Sequence, residues 1–167
     1  FDGARQRLTS AFGGSVLVSQ NSATGVASFV RFTNGAAMSF AGATTPEAAA
    51  NAFFAQYGSL FGIKDAHAEL RLLDAQRGAQ GDVHLTFHQV YQGVDVFGGI
   101  LRVHLNGANE ITAVNGVFVP DINLTATPGL SAADAAAIAE RIVNGTDLQS
   151  SLLASTIPAL AVNNSLY

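Results

Sequence analysis

Histidines are the side chains in this sequence best suited to hold a metal ion, and His84 and His88 stand four positions apart. On a helix this spacing would bring two imidazoles to one zinc ion. The flanking residues instead alternate between apolar and polar, as in a β-strand, where four residues span about 13 Å. His104 stays open as a cross-strand neighbour of either histidine, but no cysteine and no well-placed Asp or Glu completes the set. The sequence therefore predicts no metal site.

Catalytic motifs are also missing from the sequence. It contains no H-E-x-x-H, G-x-S-x-G, G-x-x-x-x-G-K-[ST] or G-x-G-x-x-G pattern, and it has no cysteine that could act as a nucleophile. We expect the acidic side chains around the central region to lie mostly in turns or on solvent-facing positions: Asp65, Asp74, Asp82, Asp95 and Glu110. No pair among them is marked as catalytic, so the chain is not predicted to be an enzyme.

Composition excludes several kinds of partner. Charged residues make up 12% of the 167 positions and the formal net charge is -4, which provides no basic field for nucleic acid. No run of about 18 apolar residues could cross a membrane. The absence of cysteine excludes a disulfide-dense scaffold and fits cytosol and bacterial secretion equally well.

The chemically interesting residues lie in one stretch, residues 83–118, which contains the turn signals Gln92-Gly93 and Asn106-Gly107. Apolar alternation predicts three antiparallel strands there with one buried face, the second and third covering residues 96–105 and 110–118. Phe97 is expected on the buried face. That register requires either an odd-length first connection or a bulge at Gly98-Gly99. We favour the odd-length turn, with Gly93 inside it.

The residues before this stretch predict a hairpin and a helix. Residues 1–10 are interpreted as a loose lead-in, residues 15–19 and 26–33 as a hairpin, and residues 36–40 as a third short strand. Thr45, Pro46 and Glu47 then have the residue types that begin a helix, which should lie on the sheet through a stripe containing Phe53 and Phe54. Residues 67–74 are expected to form a further strand.

The residues after Phe118 are expected to begin a second lobe. Residues 121–129 are interpreted as an irregular linker, and Ser131 with Asp134 resembles a capping box before a helix over residues 134–143. Residues 164–167 are interpreted as the start of an unfinished strand, so we expect this lobe to be truncated. The predicted class is α+β, and its function is to bind something, with the outer face of the central sheet as the favoured surface.

One motif extends this interpretation. Residues 84–105, HLTFHQVYQGVDVFGGILRVHL, resemble the propeptides of secreted zinc metalloproteases of the thermolysin and fungalysin types, whose pattern is approximately H-x-R-[FY]-x-Q-x-Y-x-G-[VI]-P-V-[FW]-G-[GA]-x-L-x-x-H-L. Upstream, residues 45–47 and 53–62 (FFAQYGSLFG) resemble the helix of the fungalysin/thermolysin propeptide (FTP) motif. Downstream, residues 127–135 resemble the start of a PepSY module. Two positions depart from the pattern, Thr86 where Arg is usual and Asp95 where Pro is usual.

The resemblance implies an FTP lobe at residues 1–122 and part of a cystatin-like PepSY lobe at residues 123–167. It implies a secreted, extracellular prodomain of bacterial origin that helps its protease fold and inhibits it. The prodomain would have no cofactors of its own, and zinc and calcium would belong to the parent protease. The partner would be that catalytic domain. Neither nucleic acid nor a membrane is expected as a partner. We assign the protease-binding surface to these residues: His84, His88, Gln89, Tyr91, Gly93, Val94, Val96, Phe97, Gly98 and Arg102.

Two alternatives stay open from the sequence. The chain could be a free-standing secreted binding or inhibitor module without its own protease. It could also hold a small ligand between the predicted helix at residues 46–59 and the sheet.

Overall fold

The computed structural model describes residues 2–143, which contain four α-helices and six β-strands. The helices are α1 (Asp2–Phe12), α2 (Pro46–Tyr57), α3 (Ala66–Glu69) and α4 (Ala132–Val143), and 3₁₀ turns occupy Gly13–Ser15 and Gly58–Leu60. The strands are β1 (Val16–Gln20), β2 (Ala27–Phe32), β3 (Leu70–Arg77), β4 (Val83–Tyr91), β5 (Val94–Leu105) and β6 (Ile111–Val117). The predicted mixture of helices with an antiparallel sheet is confirmed.

All six strands form one antiparallel sheet in the order β1-β2-β6-β5-β4-β3. The predicted first hairpin is β1 with β2, and the predicted central meander is β4, β5 and β6. Strand β2 pairs with β6, with Val30 opposite Val114, which joins the hairpin to the meander in a single sheet. The segment predicted as a third short strand makes only one isolated bridge, between Met38 and Ile111.

Helix α2 provides much of the core. Thr45 caps it, since its hydroxyl oxygen accepts a hydrogen bond from the backbone N–H of Ala48 at 3.1 Å. Phe53 and Phe54 are buried, and the Phe54 ring meets the Phe87 ring of β4 edge to face, with centroids 5.3 Å apart. The predicted helix and its contact with the sheet are therefore confirmed.

The lead-in predicted for residues 1–10 is wrong, because Asp2–Phe12 forms helix α1. Ala4 and Leu8 are buried in the core, and the Phe12 ring packs edge-on against Phe32 with centroids 4.7 Å apart. These three residues recur every fourth position, which places them on one helical face. The intervening polar residues obscured that period.

The strand predicted at residues 67–74 begins later than expected. Asp65 caps the short helix α3, and its carboxylate accepts hydrogen bonds from the backbone N–H groups of His67 and Ala68 at 2.9 and 3.2 Å. The Glu69 carboxylate reaches back to the backbone N–H of Lys64 at 2.8 Å. These local hydrogen bonds favour a helical turn, so the strand runs over Leu70–Arg77.

The chain divides into two compact units between Leu124 and Thr125. In the second unit, Ser131 caps α4, since its hydroxyl oxygen accepts a hydrogen bond from the backbone N–H of Asp134 at 3.1 Å. The predicted second helix is confirmed, beginning two residues earlier than expected. The strand predicted at residues 164–167 lies outside the described residues, and the PepSY-like lobe stays a prediction.

Candidate functional site

The hairpin of β4 and β5 has a different turn from the one favoured by the sequence. Tyr91 pairs with Val94, which leaves a two-residue turn, Gln92-Gly93, with φ of 49° and 82°. Positive φ at both positions is the geometry of a type I′ turn, which matches the twist of the flanking strands. The odd-length turn is therefore wrong, and the register is corrected by a bulge at Gly98-Gly99, the alternative that the sequence left open.

The bulge is large. Val90 pairs with Asp95 and His88 pairs with Ile100, so residues 96–99 of β5 stand opposite Gln89 alone. Gly98 lies within it at φ 75°, a conformation that glycine adopts without steric cost. Because the bulge shifts the strand, Phe97 does not join the core and is 91% exposed. The prediction that Phe97 is buried is wrong.

Gln89 is the buried polar residue of this site, with only 3% of its surface exposed. Its amide nitrogen donates to the carbonyl of Val119 at 2.8 Å, and its amide oxygen accepts from the N–H of Val119 at 2.9 Å. Gly99 lies against it, since a Cβ added at Gly99 would come within 2.7 Å of both Cβ and Oε1 of Gln89. Gln89 therefore uses its amide inside the domain.

Residues 118–124, predicted in part as a linker, are anchored to the sheet and to the loop after α2. Phe118 is buried, and the hydroxyl of Tyr91 donates to the carbonyl of Leu124 at 3.2 Å. The Asp121 carboxylate lies 2.7 Å from the Lys64 ammonium. Because the Asp121 carboxylate accepts a hydrogen bond from the Lys64 ammonium, the pKa of Lys64 is raised above its ordinary value. This segment, which we call the strap, is thus fixed at several points.

The face of the sheet opposite the core is mainly polar. Cross-strand partners share a face, so Thr86 lies beside Arg102 and Asp74, and His84 lies beside His104. The side chains of this outer face are partly or fully exposed, as the sequence predicted for positions between buried ones. From His88 towards β6 the face is apolar, because Ile100 lies opposite His88 on β5 and Val117 lies opposite Ile100 on β6.

Two histidines of this face are in direct contact. The Nδ1 atoms of His84 and His104 lie 2.8 Å apart. The Nε2 of His84 lies 2.8 Å from Oδ2 of Asp82, and the Nε2 of His104 lies 2.7 Å from Oδ1 of Asn115. A chain of four polar side chains therefore crosses from the turn before β4 to β6. The sequence predicts Asp82 as a turn residue, and in the structure its carboxylate is the acidic neighbour of His84.

The two departures from the family pattern both have partners on this face. Asp95 pairs with Arg71 of β3, whose Nη2 lies 2.6 Å from each carboxylate oxygen. His88 Nδ1 lies 3.6 Å from the same carboxylate. Thr86, where arginine is usual, has Arg102 directly across on β5. The outer face therefore keeps a guanidinium in this row, supplied by the neighbouring strand.

The residues assigned to protease binding fall into three places. His84, His88 and Arg102 lie on the outer face, and Gln89 is buried. The others cluster at the β4–β5 hairpin end: Tyr91, Gly93, Val94, Val96, Phe97 and Gly98. Their role in binding a protease stays a prediction. Sequence reasoning missed Asp82 and Asn115, and the alternation that placed His84 and His104 on one face was the available signal for the pair.

A cleft of about 720 Å³ lies between α2, α3 and the β3–β4 edge of the sheet. Its walls combine apolar residues such as Phe54 and Leu72 with charged ones such as Glu47 and Lys64. The cleft occupies the place proposed for a small ligand, and no feature of it selects one.

Within residues 2–143, no helix is long and apolar enough to cross a bilayer. In the same range, no three or more His, Asp or Glu side chains are grouped to hold a metal ion.

Comparison with known families gives one match. Residues 68–118 match the model described as the Fungalysin/Thermolysin Propeptide Motif, FTP. The match supports a thermolysin/fungalysin-type propeptide. It covers less than half of the chain and runs from the end of α3 through strands β3 to β6, so it contains the hairpin, the bulge and the histidine pair. No curated protein matches the chain.

The FTP match fits a prodomain role, since the motif defines a protease propeptide family. A propeptide motif also suggests that the chain is not itself catalytic, and no catalytic domain is seen within residues 2–143. Propeptides of this family associate with a protease catalytic domain. Thermolysin-like propeptides belong to secreted proteases.

Proposed function

We propose that this chain is the prodomain of a secreted zinc metalloendopeptidase, in which it assists folding of the catalytic domain and inhibits it until cleavage. The observation that carries the proposal is the FTP match at residues 68–118, which falls on four contiguous strands of the sheet. Zinc, and calcium with it, would belong to the catalytic domain. Residues 125–167 would contribute part of a PepSY-like lobe.

The geometry of the sheet supports this role. A folded surface that binds the native catalytic domain, and not its unfolded chain, stabilises the native state by mass action. Strands β3 to β6 provide such a surface because their outer face is exposed and their register is fixed by a buried core on the other side. No rearrangement of the sheet would be needed for a partner to contact it.

We assign two parts of this surface to the catalytic domain. The first is the hairpin end, where Phe97 and Val94 expose apolar area beside the bulge. Large exposed aromatic side chains are typical of binding hot spots, since their burial removes apolar surface from water. The second is the outer face around His88 and Arg102, where polar groups would set orientation. Gln89 supports the hairpin from inside and is not expected to contact the partner.

Inhibition in trans tests the proposal. The full chain, added to the mature catalytic domain of its own precursor, should inhibit peptide hydrolysis. Phe97→Ser and Arg102→Ala should each weaken inhibition by about fivefold or more, because loss of one hot-spot contact costs more than about 1 kcal/mol. Arg5→Ala, an exposed arginine of α1, is the matched control and should inhibit like the unaltered chain. Equal inhibition by all variants would exclude this surface, and no inhibition by any would exclude the inhibitor role.

A further inference from the structure

The contact between His84 and His104 poses a question of hydrogen-bond chemistry. A neutral imidazole carries one N–H and one lone pair. The Nε2 of His84 faces the Asp82 carboxylate at 2.8 Å, and the Nε2 of His104 faces the Asn115 carbonyl oxygen at 2.7 Å. In the tautomers in which the Asp82 carboxylate and the Asn115 carbonyl oxygen both accept, each Nε2 carries the proton. Both Nδ1 atoms then present lone pairs to each other at 2.8 Å.

Converging lone pairs of this kind are held together either by a shared proton or by a metal ion. We propose that His84 and His104 form a binding site for a divalent transition-metal ion such as Zn²⁺, with both Nδ1 atoms as ligands and water in the remaining positions. Imidazole nitrogen is a preferred ligand of Zn²⁺, Cu²⁺ and Ni²⁺. This inference does not rest on the proposed prodomain function.

The distal hydrogen bonds are those of a metal site. Histidine ligands almost always donate their other ring N–H to a carboxylate, carbonyl or water, which fixes the tautomer and raises the basicity of the ligating nitrogen. Asp82 provides such a carboxylate to His84, and Asn115 provides a carbonyl oxygen to His104. Both outer partners are thus present, although the two histidines come from different strands.

The separation of the two nitrogens is close to what a metal requires. At Zn–N distances of about 2.0–2.1 Å and a tetrahedral angle, two ligand nitrogens lie about 3.3 Å apart. The observed 2.8 Å would widen by about half an ångström. Rotation of the rings about χ2 can provide this, since that torsion has a broad energy profile. His84 has 43% of its side chain exposed, so water can reach the site and complete the coordination.

The site is separate from other charged groups of the outer face. His88 lies four residues from His84 along β4 and faces the Asp95 carboxylate, which is already paired with Arg71. His88 therefore provides a control on the same face and the same strand as His84. The substitution Gly78→Ala provides a second check on the role of Asp82, because a Cβ added at Gly78 would overlap the Asp82 carboxylate.

Titration of the full chain with ZnCl₂ at neutral pH tests the site, with imidazole ¹⁵N shifts and calorimetry as readouts. One saturable equivalent should move the Nδ1 resonances of His84 and His104 and leave those of His88 in place. His84→Ala and His104→Ala should abolish this binding, Asp82→Asn should weaken it by about 10–100-fold, and His88→Ala should bind like the unaltered chain. Circular dichroism of each variant checks that the sheet is retained.

Two results would overturn the proposal. The first is an unaltered chain whose His84 and His104 shifts respond to pH but not to Zn²⁺, which would mean that the pair shares only a proton. The second is zinc binding that survives both alanine substitutions, which would place the ion elsewhere. Because the ring shifts are measured on the unaltered chain, a variant that fails to fold leaves the test intact.

Discussion

The side-chain amide of Gln89 forms two hydrogen bonds with the backbone of Val119, at 2.8 and 2.9 Å, and joins the end of β4 to the strap that follows β6. The two residues are 30 positions apart. The Gln89 amide provides one donor and one acceptor, which pair with the C=O and the N–H of Val119. Val119 is therefore held by two hydrogen bonds, as it would be by the backbone of a neighbouring strand. Gln89 thus acts on the fold of the candidate site, while Phe97 beside it is exposed to solvent.

Replacing Gln89 with Met should destabilise the domain. Methionine has a similar length but removes both hydrogen bonds to Val119, and each such bond contributes about 0.5–1.5 kcal/mol. Urea unfolding measures the effect. Gln92→Met, in the exposed turn of the same hairpin, is the control and should change the free energy of unfolding little. Equal stability of Q89M and the unaltered chain would show that the clamp contributes nothing.

Gly99→Ala should also destabilise the domain, by roughly 1–3 kcal/mol, because the added methyl would press on the Gln89 side chain in a packed region. Gly14→Ala is the matched control, since a Cβ at Gly14 would meet nothing within 4 Å. Thermal unfolding of the two variants provides the comparison. If both melt at the same temperature as the unaltered chain, the bulge does not pack on Gln89 as described.

The exposure of Phe97 separates binding from stability. Phe97→Ser should change the free energy of unfolding by no more than about 0.5 kcal/mol, as is usual for surface substitutions. Phe87→Ala, two positions before Gln89 and buried against Phe54, should cost about 3–5 kcal/mol. Denaturant midpoints distinguish the two. A large loss of stability for F97S would place the ring in the core and contradict the bulged register.

The pair of Lys64 with Asp121 predicts a pH dependence at the strap. The pKa of Lys64 is raised above 10.5 by the hydrogen bond and charge of Asp121, so the pair stabilises the fold below that pH. This contribution is lost as pH rises through the raised pKa. Nuclear magnetic resonance of the Lys64 side chain should show a titration that moves towards its ordinary value in Asp121→Asn. An identical titration in both proteins would mean that the pair does not form in solution.

The sequence was informative wherever local pattern and tertiary packing agree. Thr45 and Pro46 predicted the start of α2, and alternation from Val83 to Phe87 predicted the buried face of β4. In both cases the short-range signal of capping or period matches the face that the core needs. The identity of the outer-face histidines as neighbours follows from the same alternation, although their hydrogen-bond partners do not.

The errors arose where a non-local contact decides the local structure. A bulge and an odd-length turn restore the same register, and in the bulged form Gln89 contacts Val119, a residue 30 positions away that no period reveals. Helix α1 was missed because its apolar face has only one residue per turn, Ala4, Leu8 and Phe12, and becomes clear only against the core. The strap lacks any regular pattern and is fixed by side-chain contacts.

Refolding is the most direct test of the prodomain account. The denatured catalytic domain of the same precursor would be diluted into buffer with calcium and zinc, with or without one equivalent of the full chain, and active protease would be measured after removal of the chain by limited proteolysis. The account predicts a several-fold higher yield with the unaltered chain and a smaller gain with Phe97→Ser. Equal yields with and without the chain, together with no measurable binding between the two domains, would contradict it.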